Sequence, residues 1–203
     1  IAEKLENDYP QLVKSTEIAG PGFINIRIQK EQIVSQIKTV LDLESQFGRT
    51  ELGKGKKALV EFVSANPTGP LTVGHGRGAI LGDVVSNILH WNGYEVEREY
   101  YYNDAGLQME RLGQSVKARY LELVGQSAEF PDEGYEGKYI IDIARDLLKN
   151  RGTNLQDSDD LTIFTQAAEK SIFQDIRNSL EKMGLTFDRY FNEQSLYESG
   201  AIE

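Results

Sequence analysis

One stretch constrains the fold more than any other: Ala58-Leu-Val-Glu-Phe-Val-Ser-Ala-Asn-Pro-Thr-Gly-Pro-Leu-Thr-Val-Gly-His-Gly-Arg-Gly78, in which an apolar strand pattern breaks into a Pro/Gly loop that ends in Gly74-His75 and opens a helix. Ala58 to Val63 is a short, largely apolar run. Ala79 to Trp91 then carries Ile80, Leu81, Val84, Val85, Ile88, Leu89 and Trp91 at helical spacing, and Glu95 to Tyr102 alternates charge with Val96, Arg98, Tyr100 and Tyr102. Strand, helix and strand at this length form a βαβ unit, which predicts an α/β fold with a parallel sheet covered on its faces. Pro67 and Pro70 fix their φ and remove two donors, while Gly69 admits conformations closed to other residues, so Asn66 to Pro70 must turn sharply. In an open α/β sheet the crevice beyond the carboxyl ends of the strands is the usual ligand position. A phosphate there would meet the helix N-terminus, the Thr72 hydroxyl and the His75 ring. A plainer alternative stands beside this one: Pro and Gly make a turn, and His75 caps the helix.

The flanks supply the rest of the organisation. Ile1 to Leu12 has the spacing of a short amphipathic helix ended near Pro10, and Gly20-Pro-Gly22 turns into an alternating strand whose Ile24, Ile26 and Ile28 face should be buried. Glu31 to Phe47 reads as a helix stopped by Gly48, and Gly48 to Lys57, containing Gly53-Lys-Gly-Lys-Lys57, as an exposed connector. The domains expected are therefore 1–48, a linker at 49–57, and 58–203. Leu107 to Val124, Tyr139 to Leu148 and Leu161 to Met183 read as three helices following the second strand. Tyr100 to Tyr102 is expected to pack in its strand with alternate rings exposed, and His90 to pack beside Trp91. A start at Ile1 and an end at Glu203 without an evident terminal element read as a piece of a longer protein.

Composition narrows the functions. The 203 residues, 39% hydrophobic, suffice for a real core, and a formal charge of -10 removes any general attraction to nucleic acid or anionic membrane. Any RNA contact must be local. With no cysteine and two histidines, disulfides, thiolate metal sites and a histidine-rich metal cluster are excluded, so no protein-bound metal is expected. An intracellular, reducing compartment fits, and no run approaches the ~20 apolar residues of a membrane span.

Two familiar phosphate loops fail on inspection. No Gly-Lys-Ser/Thr follows the loop, and Gly74-His-Gly-Arg-Gly78 lacks the spacing of a dinucleotide fingerprint. What remains is the His-x-Gly-His arrangement of nucleotidyl-transferring folds, present as Thr72-Val-Gly-His75. Glu61 to Gly78, Leu81-Gly-Asp83 and Tyr102-Asn-Asp-Ala-Gly106 together resemble the arginyl-tRNA synthetases, class I enzymes, in a bacterial form. Glu17-Ile-Ala-Gly-Pro-Gly-Phe-Ile-Asn25 is similar to the end of that family's extra N-terminal domain, and Phe187 with Phe191 to Tyr197 to a later catalytic segment.

The resemblance implies the first half of a Rossmann-like, HIGH-type parallel sheet with helical insertions, preceded by part of a small α+β domain that contacts tRNA. It implies ATP-dependent attachment of L-arginine to tRNA(Arg) through an arginyl-adenylate, with Mg²⁺ accompanying ATP, by a cytoplasmic enzyme that is a monomer at full length. By motif position, Thr72 and His75 would be catalytic, and Gly69, Pro70, Thr72, Gly74 and His75 would face ATP. Glu61, Ser64, Ala65, Asn66 and His75 would line the arginine site, with Asn103, Asp104 and Gln108 at its edge. Asx-turn chemistry explains Asn103 to Gly106 equally well. Thr72 stands where the family has its first histidine, so a hydroxyl replaces a group able to carry charge. Nothing after Phe187 resembles the second half of the nucleotide fold, so the piece alone is expected to be inactive. A small nucleotidyltransferase of the same loop type, or an interaction module with an inert loop, are the alternatives.

Overall fold

The computed structural model describes residues 1–202 and divides into two compact units, Ile1–Thr50 and a second beginning at Glu51. The first unit has helix α1 (Ala2–Asp8), an antiparallel hairpin of β1 (Val13–Ala19) and β2 (Phe23–Ile28), and helix α2 (Lys30–Leu43) followed by a 3₁₀ turn at Glu44–Gln46. The Glu6 carboxylate of α1 accepts hydrogen bonds from the hydroxyl and backbone N–H of Thr16 on β1. The hairpin departs from expectation, because its isoleucine face is not buried: Ile26 and Ile28 remain 46% and 39% exposed. Among the described residues α1 packs on β1, and α2 buries none of its own residues against the hairpin.

In the second unit β3 (Lys57–Glu61), β4 (Glu95–Tyr102) and β5 (Arg189–Asn192) form a parallel sheet with β4 in the middle. Helix α3 (Val73–Trp91) makes the crossover from β3 to β4. Helices α4 (Leu107–Leu123), α5 (Lys138–Arg151) and α6 (Thr162–Lys182) fill the connection from β4 to β5, and α7 (Gln194–Glu198) follows the last strand. Their apolar residues recur every third or fourth position, as in Phe164, Ala168, Ile172, Ile176 and Leu180, which puts one stripe of α6 into a core shared with α4, α5 and Tyr100. Glu51 to Lys56 does not run free as a connector: Gly53 is buried and donates to the Asn92 carbonyl at 2.8 Å, and Lys56 accepts from Glu95 N–H at 3.0 Å.

Three local expectations change. Helix α3 starts at Val73, six residues before the apolar periodicity suggests, so Gly74 and His75 lie in its first turn and not in the loop. The capping pair described below accounts for that start. The side of α3 that is buried is the small-residue stripe Ala79, Gly82 and Ser86, whereas Ile80, Leu81 and Ile88 are 58%, 66% and 56% exposed. His90 is also exposed, being on the solvent side of the last turn. Finally, the tyrosine rings of β4 do not alternate in and out: Tyr100 is fully buried and Tyr101 and Tyr102 are half-buried, because helices cover one sheet face while Tyr101 stacks on Phe191 of β5 at 5.7 Å on the other.

Candidate active site

Strand β3 ends in an abrupt bend. Phe62 N–H still bonds to the Glu99 carbonyl of β4, but Ser64 N–H turns back to the Phe62 carbonyl at 3.0 Å. The residue between them, Val63, has φ 68°, and Ser64 follows at φ 45°. Two consecutive non-glycine residues in the left-handed region, one of them β-branched, make a γ-turn that is costly by itself and must be held by its surroundings. The holding groups are visible. The Ser64 hydroxyl donates to the Glu61 carboxylate and accepts from Tyr101 N–H at 3.2 Å. The Tyr100 hydroxyl accepts from Ala65 N–H at 3.1 Å and donates to the Ala65 carbonyl at 2.7 Å. Burial pushes the Tyr100 phenol well up from its ordinary value, so it remains a neutral donor across the physiological range.

Asn66 is oriented from both ends of its amide. Its Oδ1 accepts from Asn103 N–H at 2.9 Å, and its Nδ2 donates to Gln108 Oε1 at 3.3 Å. Asn103 uses its own side chain for an Asx turn, accepting from Ala105 N–H at 2.8 Å, so its backbone and not its side chain reaches the Asn66 group. Asp104 turns another way: Oδ2 accepts from Asn192 Nδ2 of β5 at 2.6 Å, and its carboxyl lies against Glu169 of α6. Asp104 Oδ1 is buried without a hydrogen-bond partner. Glu169 is pushed up, first by burial and then by the neighbouring Asp104. The structure thus brings Asn103 and Gln108 to Asn66 and sends Asp104 to the sheet–helix joint.

After Pro70 the chain enters α3 through a reciprocal cap. Thr72 Oγ1 accepts from His75 N–H at 3.4 Å, and His75 Nδ1 accepts from Thr72 N–H at 3.1 Å. Each side chain satisfies a backbone donor of the first turn, the box normally made with Glu or Gln at its third position. The cap anticipated for His75 and the site role anticipated for it are therefore compatible. An Nδ1 that accepts an N–H carries no proton, so the neutral ring bears its proton on Nε2 and presents that nitrogen as a donor. The N–H groups of Val73 and Gly74 complete the N-terminal end of α3, where the helix dipole favours an anion. A glycine at 74 leaves the only near neighbour of an added Cβ as Thr72 Oγ1, at 3.5 Å.

A known protein family matches the stretch that holds the bend, the oriented asparagine and the capped helix start. The description "tRNA synthetases class I (R), catalytic domain" matches residues 36–182. The chain belongs to this family. Relatives named arginine–tRNA ligase from Desulfotalea psychrophila and Chlorobaculum parvum are each 52% identical, over 203 and 186 residues, or 100% and 92% of this chain. The chain spans 37% and 34% of their lengths. A solved structure described as an arginyl tRNA synthetase from Campylobacter jejuni superposes with a TM-score of 0.75 at 32% identity, covering 84% of this chain and 38% of that one. Arginyl-tRNA synthetase from Thermus thermophilus, at 20% identity and a TM-score of 0.59, shares the fold over 98% of this chain and 33% of its own.

In this chain Glu61, Ser64, Ala65, Asn66, Gly69, Pro70, Thr72, Gly74 and His75 all lie in one segment that runs from the end of β3 to the first turn of α3. Two tyrosines that shape that segment, Tyr100 and Tyr139, were not singled out by the sequence. Tyr100 reads there as strand packing, and Tyr139 as the first residue of a helix. Their only sequence signal is a hydroxyl on a ring at an otherwise apolar core position, which needs a partner once buried.

Proposed function

We propose that the chain is the part of an arginine–tRNA ligase that seats ATP and L-arginine for adenylate formation. The observation that carries the reading is the Thr72–His75 cap at the start of α3, beside the carboxyl end of a parallel strand, in a chain matched along its whole length by arginine–tRNA ligases. In the proposed step an oxygen of the arginine carboxylate attacks the α-phosphorus of ATP. The new C–O–P bond forms as the bond to the β-phosphate oxygen breaks, releasing pyrophosphate with its Mg²⁺. No protein nucleophile is required, so the protein's contribution is placement and charge stabilisation. His75 Nε2–H, the Thr72 hydroxyl and the α3 N-terminal amides meet the phosphate oxygens. Glu61, aligned by Ser64, takes a cationic group of arginine, and Asn66 with the Ala65 backbone positions the amino acid. In the second step the terminal ribose hydroxyl of tRNA(Arg) attacks the acyl carbon and AMP leaves.

The first unit, on its resemblance to the family's N-terminal domain, contacts the tRNA, and the enzyme acts as a cytoplasmic monomer on that same footing. No helix among the described residues is long and apolar enough to cross a membrane.

Aminoacylation by the full-length protein tests the reading. The parent is expected to charge tRNA(Arg) with arginine, His75→Ala to lower kcat by about 10²–10³-fold, as loss of one transition-state donor does, and Asn66→Ala to raise the KM for arginine by about 10-fold. A parent that leaves arginine uncharged, or a His75→Ala enzyme with unaltered kcat, refutes it.

A further inference from the structure

Helix α5 enters the candidate site through one hydroxyl. Tyr139 Oη donates to the Thr68 carbonyl at 2.8 Å, a contact across 71 positions of sequence, and a Cβ added to Gly69 would stand 3.1 Å from the same oxygen. The Tyr139 ring packs against the buried core of the helical layer, so the hydroxyl has a fixed base. The segment it holds has few other ties. Thr68 N–H bonds to the Asn66 carbonyl at 2.8 Å, Pro67 and Pro70 have no N–H, and Tyr100 secures only Ala65 upstream. Burial of Pro67 and packing of Leu71 against the core hold the two ends of this stretch, and the Tyr139 bond pins its middle at Thr68. A Cβ at position 69 would crowd the Tyr139 hydroxyl, which would have to give by a few tenths of an ångström.

We propose that Tyr139 is a positioning residue for adenylate formation: its bond to Thr68 sets the distance and angle between the arginine-side group at Asn66 and the phosphate-side group at Thr72 and His75. Tyr139 touches neither substrate in this account and acts through the loop. The proposal rests on the function given above, and its test separates the two.

The experiment measures steady-state aminoacylation and thermal melting of the full-length enzyme with Tyr139→Phe, Gly69→Ala, both together, and Tyr120→Phe. The last is the control, because the Tyr120 hydroxyl makes a like bond, to the Gly152 carbonyl at 2.6 Å, in the same helical layer but away from the loop. Tyr139→Phe is expected to lower kcat by about 3- to 10-fold, the span of one intramolecular hydrogen bond, with the KM for arginine within about twofold of the parent. Tyr120→Phe is expected to leave both constants within about twofold while lowering the melting midpoint. Gly69→Ala is expected to lower kcat, and by about 3-fold less in the Tyr139→Phe background, where the competing oxygen is gone. Unchanged kcat in Tyr139→Phe, an equal loss in Tyr120→Phe, additive effects in the double variant, or a melting loss of about 4–8 °C with kcat per folded molecule intact would each overturn the proposal. A parent that charges no arginine removes the functional reading and this assignment together, an outcome distinguishable from all of those.

Discussion

Glu169 carries a carboxyl between α6 and Asp104, where burial comes first and the Asp104 charge second in pushing it above its ordinary value of 4.5. A carboxyl raised in the folded state supports folding fully below its unfolded value, and that support is lost as pH climbs through the folded value. Ionisation of Glu169 therefore works against the fold. Glu169→Gln is expected to raise the urea midpoint at about pH 8, with the gain gone at about pH 4. A gain of equal size at both values would show that shape, and not charge, explains it. At this same scale, Glu61, Ser64, Asn66 and His75 are candidates from the sequence because they are polar groups in a Pro/Gly strand-to-helix loop, and Ser64, Asn66 and His75 also hold that loop and the helix start together. Tyr100 and Tyr139 are not, since a tyrosine's partner is chosen by packing and here lies 35 or 71 positions away.

At the scale of elements, α3 shows where periodicity misleads. Large apolar residues at helical spacing mark Ile80, Leu81, Val84 and Ile88 as the inward face, yet Ala79, Gly82 and Ser86 meet the rest of the chain. Close approach decides it: Phe62, at the end of β3, lies where a Cβ on Gly82 would be, and its ring in turn packs, tilted by 35°, against Phe187 at 4.5 Å between centroids. The desolvation cost of burying Ser86 is offset by its hydroxyl, which donates to the Gly82 carbonyl at 2.8 Å. Gly82→Ala is expected to destabilise the chain by about 1–3 kcal/mol, as overpacking does, measurable by urea unfolding. A change under about 0.5 kcal/mol, the range of an ordinary surface substitution, would mean that α3 is free to shift on the sheet. Strand β5 is the converse case. Only four residues long and without alternation, it offers no local pattern, and its pairing from Glu99–Arg189 to Tyr102–Asn192 exists because the α4–α6 layer returns the chain beside β4.

For the molecule as a whole, burial is uneven between the two units. Among the described residues of Ile1–Thr50 only Val13 is buried, whereas α4 and α6 bury seven and five residues of their own. Opening free energies follow such differences, so amides of α2 are expected to exchange with solvent about 10²-fold or more faster than those in the middle of α6. Comparable protection in both helices, read by hydrogen–deuterium exchange, would contradict this. The alternation of strands and helices, the parallel βαβ crossover, the sharp Pro/Gly bend and the helix-start chemistry of Thr72 and His75 are all consequences of covalent neighbours: fixed φ at proline, period of burial, and caps within three residues. The strain at Val63 and Ser64, the buried side of α3, the diversion of Asp104 to β5 and the two tyrosine hydroxyls on the loop belong to packing. They depend on groups distant in the chain arriving at hydrogen-bond or van der Waals distance, and no local pattern encodes which of many apolar or polar candidates will arrive.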